Sequence, residues 1–369
     1  MTVDAAAEFL DVPPFPASGF ATLADRIAAL LGTGGDVLLV QGEAIVALEA
    51  VAASLAAPTV HALNIATSPY GALFGGWLRR GGASVTDLRP AVAGRPIAIE
   101  AVASAFAADT GINAVALAHA ESATGMLNPL AEIAALARAR GALVIVDAVA
   151  SVGGHALDMD ALGVDVAVIG PQKALGGSSG LSAVALARRV WPFLDRPGAT
   201  ADSILSLMDH KRLWLDRGRG ALPGMPSALE FRALDAALAR IEAEGIDAAV
   251  ARHDRAARAV RASLPKLGVD PWVENLAEAS ALVTAAVLPD RIDRAAFLDA
   301  LPLGATGIDA AIGEPGGRVV RINHTGSRAD REPVLASVTA FGLTLRRCGA
   351  GPDVDGAVAA AAETFDWFD

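Results

Sequence analysis

Residues 142–180 read ALVIVDAVASVGGHALDMDALGVDVAVIGPQKALGGSSG. Two short apolar runs, Ala142–Val146 and Val164–Ile169, stand either side of a polar stretch rich in glycine. Runs of this length bounded by turn residues read as buried strands. Asp147 ends the first run. Lys173 lies four residues past the second, in a loop rich in glycine. An aspartate at a strand end reads equally well as a turn residue or as a group aimed into a site. A lysine is ordinarily a surface residue, but the apolar flanks and the close approach that glycine permits favour a pocket here. Burial there lowers the lysine pKa and frees the amine for imine chemistry. Together the two residues suggest a pyridine aldehyde ligand. The lysine would take the aldehyde, and the aspartate would keep the ring nitrogen protonated so that the ring serves as an electron sink.

The same rhythm extends towards the N-terminus. Strands are expected at Asp36–Val40, His61–Ile65, Ser84–Leu88 and Ala114–Ala118, with helices such as Ala44–Leu55 and Leu130–Arg140 between them. The second helix has a start signal, Asn128 as N-cap and Pro129 at the first position, and a stop at Gly141. Alternation of this kind predicts an α/β fold: a mostly parallel sheet sandwiched by helices, with the ligand at the carboxyl ends of the strands. After about residue 200 the rhythm fades. A loop at Gly218–Pro226 precedes a helix over Ser227–Glu244, stopped by Gly245. Residues 250–350 read as a smaller α+β unit with helices Ala248–Leu264, Arg294–Leu301 and Arg331–Arg346. The expected division is an N-terminal segment 1–20, a large domain 21–240, a small domain 241–350 and a tail 351–369 forming a peripheral helix. The glycine-containing GLSA (Gly180–Ala183) and EPGGR (Glu314–Arg318) segments read as turns, since neither has the spacing of a dinucleotide-binding loop.

Composition narrows the function. With 30 basic and 41 acidic residues the net charge is −11, which argues against nucleic acid as the main partner. Apolar residues make up 53% of the chain, enough for a large core. One cysteine, Cys348, excludes a disulfide framework and a cysteine-rich metal site, and suits a cytoplasmic protein. The N-terminal MTVDAAAEFLDVPPFP lacks the pattern of a signal peptide. The apolar stretch 44–66 is broken by Glu49, Pro58, His61 and Asn64, so no membrane span is expected. Only three lysines occur, and Lys211 and Lys266 read as surface residues.

Several separated motifs then coincide. DAVASVGG, GVDVAVIGPQKAL and SSGL resemble class V aminotransferases of fold type I. HAESATGMLNPL at His119–Leu130 is similar to the H-x-E-S/T-x-T/S-G-x-L-x-P segment of that family. VVRINHTGSRAD is similar to its R-I-G-x-x-G segment, with Asn323 in place of the first glycine. The resemblance implies a homodimer acting on a small amino donor and a 2-oxo acid. It implies that Arg321 grips the substrate carboxylate, as a bidentate guanidinium can.

QGEAIVALEAVAASL and LNIATSPYGALFGGWLRRGGA resemble the branch that transfers an amino group between pyridoxamine and pyruvate. The branch resemblance implies that Tyr70, the only tyrosine, stacks on the pyridine ring. His119 reads equally as a group lining the site near the ring or as a satisfied core histidine, and Ser122 and Thr124 could bond the ring 3-oxygen or the substrate. Gln172 could bond a phosphate or a 5′-hydroxyl. Ordinary members hold the phosphate of pyridoxal 5′-phosphate at the start of the helix that follows Gly42, Glu43 and Ala44. A carboxylate at Glu43 would repel a phosphate and compete for the same N–H groups. The expected ligand is therefore unphosphorylated pyridoxal or pyridoxamine, used as a substrate. The alternatives are an ordinary alanine or serine–glyoxylate aminotransferase that retains pyridoxal phosphate, or a lyase or non-catalytic relative. The chain departs from the branch at Ile312, where a second arginine would be expected, and at Pro223–Ser227.

Overall fold

A computed structural model describes residues 12–304, 307–313 and 317–367. Its larger sheet has seven strands: β1 Asp36–Gln41, β2 His61–Ile65, β3 Ser84–Leu88, β4 Ala114–Ala118, β5 Leu143–Asp147, β6 Val166–Ile169 and β7 Leu181–Leu186. Their order is β1-β7-β6-β5-β4-β2-β3. Only β7 runs against its neighbours, pairing antiparallel with both β1 and β6. The β2, β3, β4, β5 and β6 pairings are parallel. β4 and β7 are buried at every position, as expected for strands covered on both faces.

Strand positions follow the sequence reading closely, with three differences. The GLSA segment is no turn: Leu181–Ala183 opens β7, a six-residue apolar strand that returns the chain from the lysine loop to β1. Asn128 does not cap the helix Leu130–Ala139. Pro129 holds the cap position without a side-chain bond, and the Asn128 amide turns inward to Thr67 Oγ1 (3.0 Å) and the Ala118 carbonyl (2.8 Å). A buried amide with strong partners on two strand ends gains more there than at an exposed cap. The tail helix, Val354–Asp366, is not peripheral. Its Val354, Ala357, Ala361 and Phe365 are buried against the helices Ile246–Leu267 and Arg331–Arg347.

A second, antiparallel sheet has the order β10-β11-β9-β8, with β8 Asp270–Pro271, β9 Val283–Val287, β10 Ile308–Ala310 and β11 Val319–Asn323. Its core gathers Leu264, Phe297, Val320, Ile322, Phe341 and Leu345, while residues up to Ala249 belong to the core of the large sheet. Of the EPGGR segment, Glu314–Gly316 lies outside the described residues.

The two sheets meet along a seam after β4. Ser280 N donates to the Gly125 carbonyl and Leu127 N to the Glu278 carbonyl, both at 2.8 Å. Gly125 has φ +75°, and a Cβ there would sit 2.5 Å from the Val283 carbonyl oxygen. Glycine therefore serves both the turn and the close passage under β9.

Candidate active site

The carboxyl ends of β1, β4, β5 and β6 open onto a cavity of about 360 Å³. Glu43, Tyr70, Glu121, Ser122, Asp147 and Lys173 are among the residues lining it. This is the expected position for a ligand in an open parallel sheet.

Asp147 is the last residue of β5. Its Oδ1 accepts from Val149 N at 3.0 Å. Burial pushes its carboxyl up to about 6, opposed by that hydrogen bond and by the Lys173 charge. Lys173 follows β6 on the turn Pro171–Gly176 and is half-buried. Its Nζ donates to Ser122 Oγ at 3.5 Å. Burial lowers its pKa, the Arg321 guanidinium adds to the effect, and Glu43 and Asp147 oppose it. The Asp147–Lys173 pair read from the sequence thus shares one cavity.

Arg321 enters from the second sheet. β11 pairs with β9 and β10 on its two sides, so its backbone is fixed on both edges. Arg321 donates to the Ser122 carbonyl at 2.7 Å, while its Nε is buried without a partner. Ser122 therefore touches both Lys173 and Arg321, one through its hydroxyl and one through its carbonyl. Ile312, half exposed, has its N–H on the carbonyl of neighbouring Ala123.

Tyr70 stands in the first turn of the helix Pro69–Arg80. Ser68 caps that helix, accepting from Tyr70 N at 3.2 Å. Glu43 caps the helix Ala44–Leu55 at the other side of the mouth. Its Oε2 accepts from Ile45 N (2.8 Å) and its Oε1 from Gln172 Nε2 (2.5 Å). Gly42, with φ +150°, is tied to the β7 hairpin through Gly180 O and Ser182 Oγ.

His119 departs from the expected arrangement. It lies in an adjoining groove of about 710 Å³ with Asn128 and Pro129, and not on the wall of the cavity that holds Lys173. Its ring packs against His155 at 5.6 Å between centroids, and burial lowers its pKa to about 4. Thr124 is buried, with no partner for its hydroxyl. Glu121 was not singled out from the sequence, although it lies inside the H-x-E-S segment. It is buried at 2% exposure and lines the cavity.

The residues suit a small ring with polar substituents. Among the described residues, the buried side-chain atoms without partners include His119 Nδ1, Thr124 Oγ1, Gln172 Oε1 and Arg321 Nε. Native cores rarely leave such atoms unpaired; Gln172 and Arg321 bond Glu43 and Ser122, which line the cavity, so a ligand there can supply their missing bonds. No group of three or more metal-binding side chains occurs among the described residues.

Comparison with known proteins agrees with this geometry. Residues 19–309 match the family described as Aminotransferase class-V. The chain belongs to that family and is a transaminase of the pyridoxal-dependent fold type I class. It is 33% identical over 331 residues to a pyridoxamine–pyruvate transaminase of Mesorhizobium japonicum, covering 89% of this chain and 84% of the relative. The crystal structure of pyridoxamine–pyruvate aminotransferase from Mesorhizobium loti superimposes with a TM-score of 0.87 at 30% identity, covering 96% of this chain and 90% of that one. An alanine–glyoxylate aminotransferase from Nostoc sp. gives 0.83 at 25% identity, covering 93% of this chain and 92% of that one. No helix among the described residues is long and apolar enough to cross a membrane.

Proposed function

We propose that this transaminase moves an amino group between pyridoxamine and pyruvate, giving pyridoxal and alanine, and that its pyridoxal carries no phosphate. The observation that carries this reading is the set of hydrogen-bond roles at the start of the helix Ala44–Leu55. The N–H of Ile45, which a phosphate would need, is taken by Glu43. Gln172 gives its amide N–H to Glu43 and is left with Oε1 buried and unpaired. A phosphate dianion offers only acceptors, so it satisfies neither group. A 5′-hydroxymethyl offers one donor, which either Gln172 Oε1 or Glu43 can take.

A pyridoxal ring bound here supplies the electron sink for transamination. Asp147, which lines the cavity, is the carboxylate that would hold the ring nitrogen protonated. Lys173 is the amine that would link to the ligand aldehyde and would carry a proton to and from the reacting carbons. Its lowered pKa leaves a fraction of the amine neutral for both tasks. Arg321 would hold the acceptor carboxylate, and its charge adds to the burial that lowers the Lys173 pKa. Tyr70 covers the ring face. Ser122 fixes Lys173 relative to Arg321, and Thr124 offers a hydroxyl to a ring or substrate oxygen. His119 supports this wall from behind. The reading extends to a homodimer in the cytoplasm. Exposed Ile204 and Leu213 line a groove with Gln41, Leu222 and Pro223, and exposed apolar side chains of this kind favour a partner.

The test is direct. Purified protein given pyridoxamine and pyruvate should release pyridoxal, and pyridoxamine 5′-phosphate should be a poor substitute. Glu43→Ser should shift preference towards the phosphorylated form by about tenfold or more, the size expected from removing one like charge near an anion. Wild-type protein that copurifies with tightly held pyridoxal phosphate, and turns over alanine and glyoxylate instead, would reverse the assignment.

A further inference from the structure

Ser122 holds the Lys173 amine, but the backbone that carries the lysine needs support of its own. The turn Pro171–Gly176 has two local bonds, Gly176 N to the Lys173 carbonyl (2.9 Å) and Gly177 N to the Pro171 carbonyl (2.6 Å). Further support comes from two consecutive helices, Ala228–Glu244 and Ile246–Leu267. They meet at Gly245, whose φ is +85°. Arg252 closes the elbow between them with a two-pronged grip on Glu244, Nε to Oε1 at 2.6 Å and Nη2 to Oε2 at 3.0 Å.

From that elbow the lysine turn is held on two sides. Arg240 Nη2 donates to the Leu175 carbonyl (2.8 Å) and to the Gly176 carbonyl (2.9 Å). Arg252 Nη1 donates to the Gly326 carbonyl (2.6 Å), and His253 Nε2 accepts from Gly326 N (3.0 Å). Adjacent residues of one helix thus take both backbone groups of a single glycine. His253 is fully buried and its Nδ1 donates to the Ala249 carbonyl at 2.7 Å, so the ring is neutral and its second nitrogen can accept. Gly326, with φ +59°, lies against the lysine turn. A methyl group there would stand 3.3 Å from the Lys173 carbonyl oxygen and 3.4 Å from Gly176 Cα.

We infer that this elbow positions Lys173 for reaction, with Arg240 and His253 as the positioning residues: Arg240 ties the end of the lysine turn, and His253 sets the Gly326 floor on which the turn rests. Arg321 is outside this control, because its strand is paired on both edges before the chain reaches Gly326. The elbow therefore governs rate and not carboxylate binding. Displacing a reacting group by about 1 Å costs on the order of a hundredfold in rate, and loss of one anchor should cost about tenfold.

The inference rests on Lys173 as the amine that takes the ligand aldehyde, so the experiment reads that bond directly. Pyridoxal is added to the full chain. The amine adds to the aldehyde carbon, water leaves, and borohydride reduces the resulting C=N bond, so that mass analysis of peptides locates the label. His253→Leu should slow labelling of Lys173 and lower kcat with pyridoxamine and pyruvate, each by about tenfold, with the KM for pyruvate within about twofold. His253→Gln, whose amide oxygen can stand where Nε2 stood, should recover most of the rate. Arg240 is exposed. Arg240→Ala should show the same loss and regain rate when guanidinium ion is added to the solution. Equal labelling rates in wild type, His253→Leu and Arg240→Ala would overturn the proposal. So would a loss that falls on the KM for pyruvate, or one that neither His253→Gln nor guanidinium repairs. A label on another lysine would overturn the role of Lys173 itself, and this inference with it. If His253→Leu folds poorly, Arg240→Ala with and without guanidinium decides alone.

Discussion

Lys173 owes its character to where three neighbours put it. Ser122 Oγ holds its amine, Arg321 and burial disfavour its charge, and Asp147 with Glu43 partly restores it. Lys173→Ala removes the amine without touching the sheet. The expected result is loss of the visible absorbance change on adding pyridoxal and a fall in turnover of at least a thousandfold, with an unchanged unfolding midpoint. The magnitude follows from losing both nucleophile and proton carrier. Absorbance that persists would place the covalent link elsewhere. Asp147 and Lys173 were readable in sequence because each ends or follows an apolar strand run. Glu121 was not, because Thr67, which bonds it, and Asn128, which bonds Thr67, come from two segments that only the fold brings together. His119 had two readings in sequence, a group beside the ligand or a core histidine, and in the fold its ring packs on His155.

Strands and helices were legible where burial was on both faces, since continuous apolar runs of five residues leave little choice. β7 was not, because a glycine-rich start resembles a turn and its antiparallel direction breaks the alternation. Between the sheets, histidines hold the segment 280–284. His155 Nε2 accepts from Ala281 N (3.1 Å), and His324 bonds the Ala281 carbonyl (3.0 Å) and Thr284 Oγ1 (2.9 Å). Burial lowers His155 and His324 to about 3, far below their ordinary 6.5. The folded chain keeps them neutral while the unfolded chain takes up protons. Their stabilisation is complete above pH 6.5 and is lost as pH falls from there towards 3, by about 1.4 kcal/mol per pH unit for each. His155→Gln should be less stable than wild type at pH 7.5 by denaturant unfolding, yet lose less stability between pH 6.5 and 4.5. Parallel slopes for the two proteins would show that His155 is not held neutral.

The molecule as a whole joins a parallel sheet that carries Asp147 and Lys173 to an antiparallel sheet that carries Arg321. The composition pointed to the first, through its alternating runs, more plainly than to the second, whose strands are as short as two or three residues. The proposed homodimer adds a further layer. Met225 is 93% exposed and follows Gly224, which lines a groove with Gln41, Leu213 and the 78% exposed Ile204. Met225→Arg should turn a dimer into a monomer in sedimentation. It should also lower activity, since Ser227 N donates to Gln41 Oε1 at 3.2 Å and so links this loop to the site mouth. A wild-type protein that sediments as a monomer at working concentration would remove the basis for this interface.

Gly125 has a consequence of its own. The Val283 carbonyl lies where its Cβ would be, 2.5 Å away, and a methyl group would wedge the seam open by about 1 Å before reaching ordinary contact. That wedge would act at the start of β9, whose Thr284 and Ala285 pair with Ile322 and Arg321 on β11. The guanidinium would then be levered off the Ser122 carbonyl. The reach of the Arg321 guanidinium is thus gauged by a residue that has no side chain.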